Sequence, residues 1–206
     1  IMARDTQSIV KMSRREGYAL HPKAHKALAK RSTPPGQAAN GRFRAKSSQY
    51  SLQLREKQKV KRLYGLLERQ FSNLMAEASR GQGQSGQTLL RLLEQRADNV
   101  IYRAGFAPSR RAARQLVTHG HFMINGQRFN VPSLRVKPGD EIVVRPQALK
   151  TDYFKRLDDN SPAGETSVSW LKVNRSKVSV TVAALPVREE AEPDINEQLI
   201  VEYYSR

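Results

Sequence analysis

The sequence predicts an α+β protein: a basic N-terminal arm, a helical domain, and a module in which helices give way to an antiparallel sheet. Three observations carry that reading. Apolar residues recur at three- and four-residue steps from Leu52 to Ala104. The period then shortens to that of strands around an Asn125-Gly126 turn. Positive charge is concentrated ahead of both.

The chain has 206 residues, enough for one or two compact cores. Its 36 Lys and Arg against 19 Asp and Glu give a net charge of +17. Residues 1–70 hold 17 basic and 4 acidic groups, residues 71–145 hold 11 and 5, and residues 146–206 hold 8 and 10. A field of this sign draws phosphate, whether on nucleic acid or on an anionic membrane. No apolar run approaches the roughly 20 residues that span a bilayer. The opening Ile1-Met2-Ala3-Arg4-Asp5 lacks the apolar core of a signal peptide. A soluble cytoplasmic protein with no membrane partner is therefore expected. With no cysteine in the chain, disulfides and thiolate metal sites are excluded. His21 and His25 stand four residues apart, a spacing that can clamp a metal on a helix, but Pro22 lies between them and no carboxylate completes a set. No metal or cofactor is expected.

Taken in order, residues 1–46 carry Arg14-Arg15, Lys30-Arg31 and the breaker run Pro34-Pro35-Gly36 with little apolar periodicity. Such a segment is expected to order on RNA rather than alone. From Ser48, Leu52, Val60, Leu63, Leu67, Phe71, Leu74 and Met75 predict one or two amphipathic helices, with Arg55, Lys57, Lys59, Lys61 and Arg62 on the polar side. Gly81 to Gln87 reads as a linker and domain edge. Thr88 is placed to cap the next helix, whose buried stripe is Leu89, Leu93, Ala97, Val100, Ile101 and Ala104, ended by Gly105. Pro108-Ser109 opens a short helix that stops at Gly120. Strands follow at His121–Ile124 and Gln127–Val131 about the Asn-Gly turn, whose two central positions need positive φ. Lys137 to Asp140 turns the chain into a strand at Glu141–Arg145. Val178, Val180 and Val182 alternate after Val168, Trp170 and Leu171. Asp194, with Glu197 three residues on, reads as a capping box for a last helix presenting Ile195, Leu199 and Tyr203 on one face.

The helix after Ser109 carries the chemistry. With Ala113, Leu116 and Val117 inward, Arg111, Arg114, Gln115 and Thr118 share the opposite side, and no acid lies within the helix. Guanidinium forks, an amide and a hydroxyl suit phosphate oxygens. The hairpin adds His119, His121, Asn125 and Arg128.

Arg96 to Arg145, RADNVIYRAGFAPSRRAARQLVTHGHFMINGQRFNVPSLRVKPGDEIVVR, resembles the S4 RNA-binding domain, the alpha-L motif found in several classes of RNA-binding protein. Ser13-Arg14-Arg15-Glu16-Gly17, Pro34-Pro35-Gly36-Gln37, YSLQLREKQKVKRLYG from Tyr50 to Gly65, and NEQLIVEYYS from Asn196 to Ser205 resemble the bacterial ribosomal protein S4 family, and cover almost the whole chain in order. The resemblance implies a structural constituent of the small ribosomal subunit. It implies a primary binder of small-subunit ribosomal RNA that nucleates assembly of the subunit body, and a last helix that returns to the helical domain. The domains become 1–46, an N-terminal extension; 47–87 with 188–206, a helical domain; and 88–187, the inserted S4 domain.

Ribosomal-RNA contacts are expected at Arg4, Lys11, Arg14, Arg15 and Gln37 in the arm. In the helical domain they are expected at Tyr50, Gln53, Arg55, Lys57, Gln58, Lys59 and Arg62. In the S4 domain they are expected at Arg110, Arg111, Arg114, Gln115, His119, His121, Asn125 and Arg128. Arg42, Arg44 and Lys46 match the family's basic residues where messenger RNA enters the ribosome. Asp194, Ile195, Glu197, Gln198 and Tyr203 are expected to meet small-subunit protein five, an interface tied to decoding accuracy, with protein three as a further neighbour and no homo-oligomer. The acidic Glu189, Glu190, Glu192 and Asp194 fit a basic partner. Two departures stand out. The family's zinc-binding cysteines are missing, and its Gly-Gln-His-Gly is Gly36-Gln37-Ala38-Ala39 here.

Two other readings compete. Arg156-Leu157-Asp158 with Ser161 approaches the pseudouridine-synthase signature, but the glycine comes one position late at Gly164 and too little chain follows for a catalytic domain. A stand-alone RNA chaperone would need only the S4 domain and leaves the flanks unexplained. No nucleophile elbow or phosphate loop appears, so an enzyme is not expected.

Overall fold

The computed structural model describes residues 5–36, 48–81, 83–161 and 168–205. Arg4, Gln37, Arg42, Arg44 and Lys46, each given a role above, lie outside the described residues. The chain divides into two compact units, Ile1–Leu89 with Asp194–Arg206, and Leu90–Pro193.

In the first unit the helices are α1 (Ile9–Glu16), α2 (Ala24–Lys30), α3 (Gln49–Leu63), α4 (Glu68–Arg80), the start of α5 (Ser85–Glu94), and the last helix, α11 (Glu197–Tyr204). Helices α1 and α2 correct the expectation of an arm without structure of its own. Their few apolar residues suffice because they are grouped: Met12, Leu20 and Ala24 are buried, and α1 packs on α2 and α3. Gly17, at φ 66°, ends α1, and Arg14 donates to the Thr33 and Pro34 carbonyls, tying down the Pro-rich turn.

Ser48 caps α3 by accepting from the Ser51 N–H. The buried side of α3 is partly polar, with Gln53 and Lys57 beside Val60 and Leu63, and α11 packs on α3. The cap of α11 is Asn196, whose Oδ1 accepts from the Gln198 and Leu199 N–H groups. This corrects the capping box expected at Asp194. The residue at that place instead offers its carbonyl to Lys59 Nζ at 2.7 Å, and Ile195 turns into the core. Asn196 N–H donates to Glu56, so the side chain two residues later in the chain is the one free to fold back on the helix start.

In the second unit one expected helix is two. Helix α5 begins at Ser85, three residues before the expected cap at Thr88, and stops at Glu94; α6 runs Ala97–Arg103. The reason lies elsewhere in the chain. The Ala97 and Asp98 N–H groups donate to the Leu134 and Pro132 carbonyls, and Val136 N–H donates to Gln95, so the 132–136 segment satisfies a helix start that sequence periodicity runs straight across. The apolar stripe survives the break, with Leu89, Leu93, Ala97, Val100 and Ile101 buried. Helix α7 (Arg110–Thr118) starts at Ser109, whose hydroxyl accepts from the Ala112 N–H.

The sheet is antiparallel, ordered β2-β1-β3-β5-β4, with β1 Phe122–Ile124, β2 Gln127–Arg128, β3 Glu141–Val144, β4 Leu171–Asn174 and β5 Ser179–Val182. Asn125 and Gly126 sit at φ 47° and 81°, as the predicted turn requires. Strand β2 is shorter than expected, ending at Arg128 while Phe129 turns into the core. Short helices α8 (Pro146–Leu149), α9 (Asp152–Lys155) and α10 (Leu157–Asn160) follow β3. The core joins α6 and α7 to the inner sheet face through Phe106, Phe122, Ile142, Trp170 and Val180. Tyr153, Ser161 and Arg175 all donate to the Gly105–Phe106 carbonyls, pinning the α6–α7 turn.

Candidate nucleic-acid interface

Helix α7 buries Ala113, Leu116 and Val117, as its spacing predicts, and exposes Arg111, Gln115 and Thr118. One turn separates the first two, so their heads can bracket a phosphate. At the end of the helix Gly120 takes φ +71°, and its missing Cβ leaves room for Arg128, whose Nε and Nη2 stand 2.8 Å from where that atom would be. The exposed Arg128 thereby brings its guanidinium close to the backbone of Gly120, which lies between His119 and His121 in sequence, whose rings are 5.9 Å apart. Arg145 donates to the Gly120 carbonyl at 3.2 Å. The register Phe122↔Val144 places Arg145 next to His121, whose carbonyl accepts its N–H. Arg145 becomes a candidate only in the folded chain, because its place depends on the long-range β1–β3 pairing; its sequence signal is its position at the end of that strand. Gly120→Ala is expected to cost about 1–2 kcal/mol from the left-handed backbone alone, plus displacement of Arg128; thermal melting and an RNA titration read the two effects.

His121 is half-buried, its ring set edge-on to Phe154 at 5.9 Å. Burial, with His119 and Arg145 beside it, pushes the His121 imidazole below its usual range. Asn125 is engaged structurally: Oδ1 accepts from the Glu141 N–H at 3.0 Å and Nδ2 donates to Asp140 at 2.8 Å, fastening the hairpin turn to β3.

Arg110 and Arg114 are half-buried, whereas Arg111 is exposed. Arg110 donates to Asn99 and to Glu192 at 2.8 Å each and stacks over the Tyr102 ring. Glu94, itself 1% exposed, accepts from Asn99 and twice from Arg103. Arg114 stands 3.8 Å from Asp98, which also holds Arg96 through two bonds. No acid lies within the helix itself; the compensating acids come from α5, α6 and the 188–193 segment. Glu192 thus faces this chain's own arginines, and Glu190 accepts from the Ser169 N–H at 2.6 Å. That accounts for two of the four carboxylates assigned above to a basic partner.

The basic side of α3 is likewise paired within its own unit. Arg55 and Arg62 both reach Glu16, whose side chain is fully buried; burial pushes its carboxyl up against the pull of those arginines. Lys57 and Lys61 hold Glu68 at 2.6 and 2.9 Å, and their hydrogen bonds outweigh its partial burial to keep the carboxyl below the usual range. Lys57 also lies 4.4 Å over the Tyr203 ring, and Lys59 meets Glu56 at 2.8 Å. Gln53 is buried, donating to Glu202, and Gln58 is half-buried. Tyr50 is exposed and stacks on Tyr203 at 5.8 Å; Asp194 and Gln198 are exposed, and Glu197 is half-buried. Lys11 and Arg15 are exposed and line, with Gln7, Pro35, Gly36 and Arg62, a basic cleft of about 330 Å3.

Asp158, the one candidate nucleophile of the enzyme reading, has a side chain 88% exposed and paired with Arg175 at 2.7 Å. Among the described residues no group of three or more His, Cys, Asp or Glu could hold a metal, and no helix is long and apolar enough to cross a membrane.

Residues 4–94 match the family described as the ribosomal protein S4/S9 N-terminal domain, and residues 95–142 match the S4 domain. The small ribosomal subunit protein uS4 of Chloroflexus aurantiacus is 52% identical over 206 residues, covering 100% of both chains. The protein of the same name from Roseiflexus castenholzii is 49% identical over 206 residues, and that from Chlorobium phaeovibrioides 47% over 205, each again with 100% coverage. These relatives carry the name of a ribosomal constituent, not of an enzyme.

Proposed function

Because the chain belongs to the ribosomal protein S4 (uS4) family, we propose that it is a structural constituent of the small ribosomal subunit and binds that subunit's RNA. The observation that carries the contact surface is the exposed side of α7 and the adjoining hairpin, where Arg111, Gln115, His119 and Arg128 emerge from a stretch, residues 99–139, without one Asp or Glu. Affinity comes mainly from phosphates, and specificity from the shape of a folded RNA junction.

In its finer form the reading makes the chain a primary binder of small-subunit ribosomal RNA that nucleates assembly of the subunit body. Arg42, Arg44 and Lys46 face messenger RNA at its entrance. The last helix meets small-subunit protein five, with protein three a further neighbour, and contributes to decoding accuracy. Exposed Asp194 and Gln198 support an outward surface there. Ile195 and Lys57, being buried, act through the fold.

Co-sedimentation with small subunits through a high-salt wash tests the constituent role. Retention is expected; release into the wash supports a stand-alone RNA binder instead. For messenger RNA, Arg44→Ala with Lys46→Ala is expected to slow unwinding of a downstream duplex by reconstituted ribosomes, and undiminished unwinding rejects that assignment.

A further inference from the structure

We propose that His119 and His121, with Arg128 and Arg145, form a phosphate site that takes up a proton when filled, so that RNA binding by this chain strengthens as pH falls. The inference rests on the RNA-binding reading of the same face and adds to it a linkage between binding and pH.

Four side chains converge on the single turn at Gly120. His119 closes α7, and its ring stands 5.9 Å from that of His121. Arg128 reaches from β2 over the Gly120 backbone. Arg145, beyond β3, donates to the Gly120 carbonyl. The fourth wall is α9, which offers the uncharged Phe154 ring. Among the described residues, the groups that bear on the charge of His121 are a second imidazole, His119, and a cation, Arg145. Gly120 cannot gain a side chain without displacing Arg128, which keeps the group crowded.

In the free chain this crowding disfavours a further positive charge. Partial burial, then His119, then Arg145 hold His121 below its usual range, so it is neutral near pH 7. A phosphodiester, ionised throughout this range, reverses the balance: it neutralises Arg128 and Arg145 and accepts from a protonated imidazole. The pKa of His121 then rises in the complex. The sign follows from linkage: the gain in affinity is complete below the free-chain pKa and disappears as pH rises through the higher value in the complex. The fold responds oppositely. With its folded pKa depressed, neutral His121 stabilises the unit above the ordinary histidine value, and that contribution is lost as pH falls through the folded pKa.

The test is calorimetric titration of the full chain with purified small-subunit ribosomal RNA at pH 6, 7 and 8, in buffers of differing ionisation enthalpy. One linked proton allows at most about tenfold per pH unit, and a gain of roughly 3- to 30-fold from pH 8 to pH 6 with net proton uptake is expected. In His119→Gln with His121→Gln the gain should shrink to about the response of RNA alone. If binding is equal at pH 6 and pH 8 while Arg111→Ala still weakens it, the inference is overturned and the RNA reading stands. If the pH gain persists undiminished in the double variant, other groups carry it and the inference is likewise overturned. If Arg111→Ala changes nothing, the RNA reading of this face fails and takes the inference with it. NMR titration of the His121 Cε1 proton in the unaltered chain avoids any folding defect of the variant: its pKa should rise on adding RNA, and an unchanged value rejects the proposal.

Discussion

Glu94→Ala is expected to destabilise the second unit by about 3–5 kcal/mol, the cost of stranding a buried partner charge. Glu94 is 1% exposed and accepts from Asn99 Nδ2 at 2.7 Å and from Arg103 Nε and Nη2 at 3.1 and 2.9 Å. The Arg103 side chain is itself 7% exposed, so truncation leaves in the interior a guanidinium that has lost its bidentate carboxylate, with Glu192 at the longer distance of 3.5 Å. Glu192 also serves Arg110, so it cannot move wholly toward Arg103 without releasing α7. Urea unfolding with an unchanged slope reads the loss. A loss below about 1 kcal/mol would mean that Arg103 escapes to water, and the network would then be decoration. Glu192→Ala in the same background should be non-additive, since both carboxylates share one arginine.

The same network shows what the sequence could disclose. Helix α7, its Ser109 cap and its inward Ala113, Leu116 and Val117 were legible, because each is a short-range pattern. So was the Asn125-Gly126 turn, whose backbone demands a residue type. The break between α5 and α6 was not, because the carbonyls that permit it belong to Pro132 and Leu134. Charge pairing is hidden for the same reason. Along the chain Arg55, Lys57, Lys61 and Arg62 look like one polar side, yet Glu16 and Glu68, brought up by α1 and α4, pair with all four. Periodicity says which residues share a side of a helix. It does not say whether that side meets water, ligand or a carboxylate from another element.

That distinction sharpens the prediction for neighbouring arginines at the start of α7. Arg111→Ala with Arg128→Ala is expected to weaken RNA binding by about 1.5–3 kcal/mol for each charge-assisted hydrogen bond removed, with little change in melting temperature. Both side chains are exposed, so their removal empties no interior space. The dependence of log K on log salt should flatten by about 0.7–0.9 for each phosphate released, whichever strand geometry the RNA presents. Arg110→Ala should do the reverse. Its guanidinium is committed to Asn99, Glu192 and the Tyr102 ring, so the loss should fall on stability, leaving the salt dependence of binding unchanged. Filter binding across a salt series, paired with denaturant unfolding of each variant, separates the two. The assignment fails if Arg110→Ala flattens the salt dependence at full stability while the Arg111 and Arg128 substitutions leave it intact, because the exposed side of α7 would then not be the one that meets phosphate.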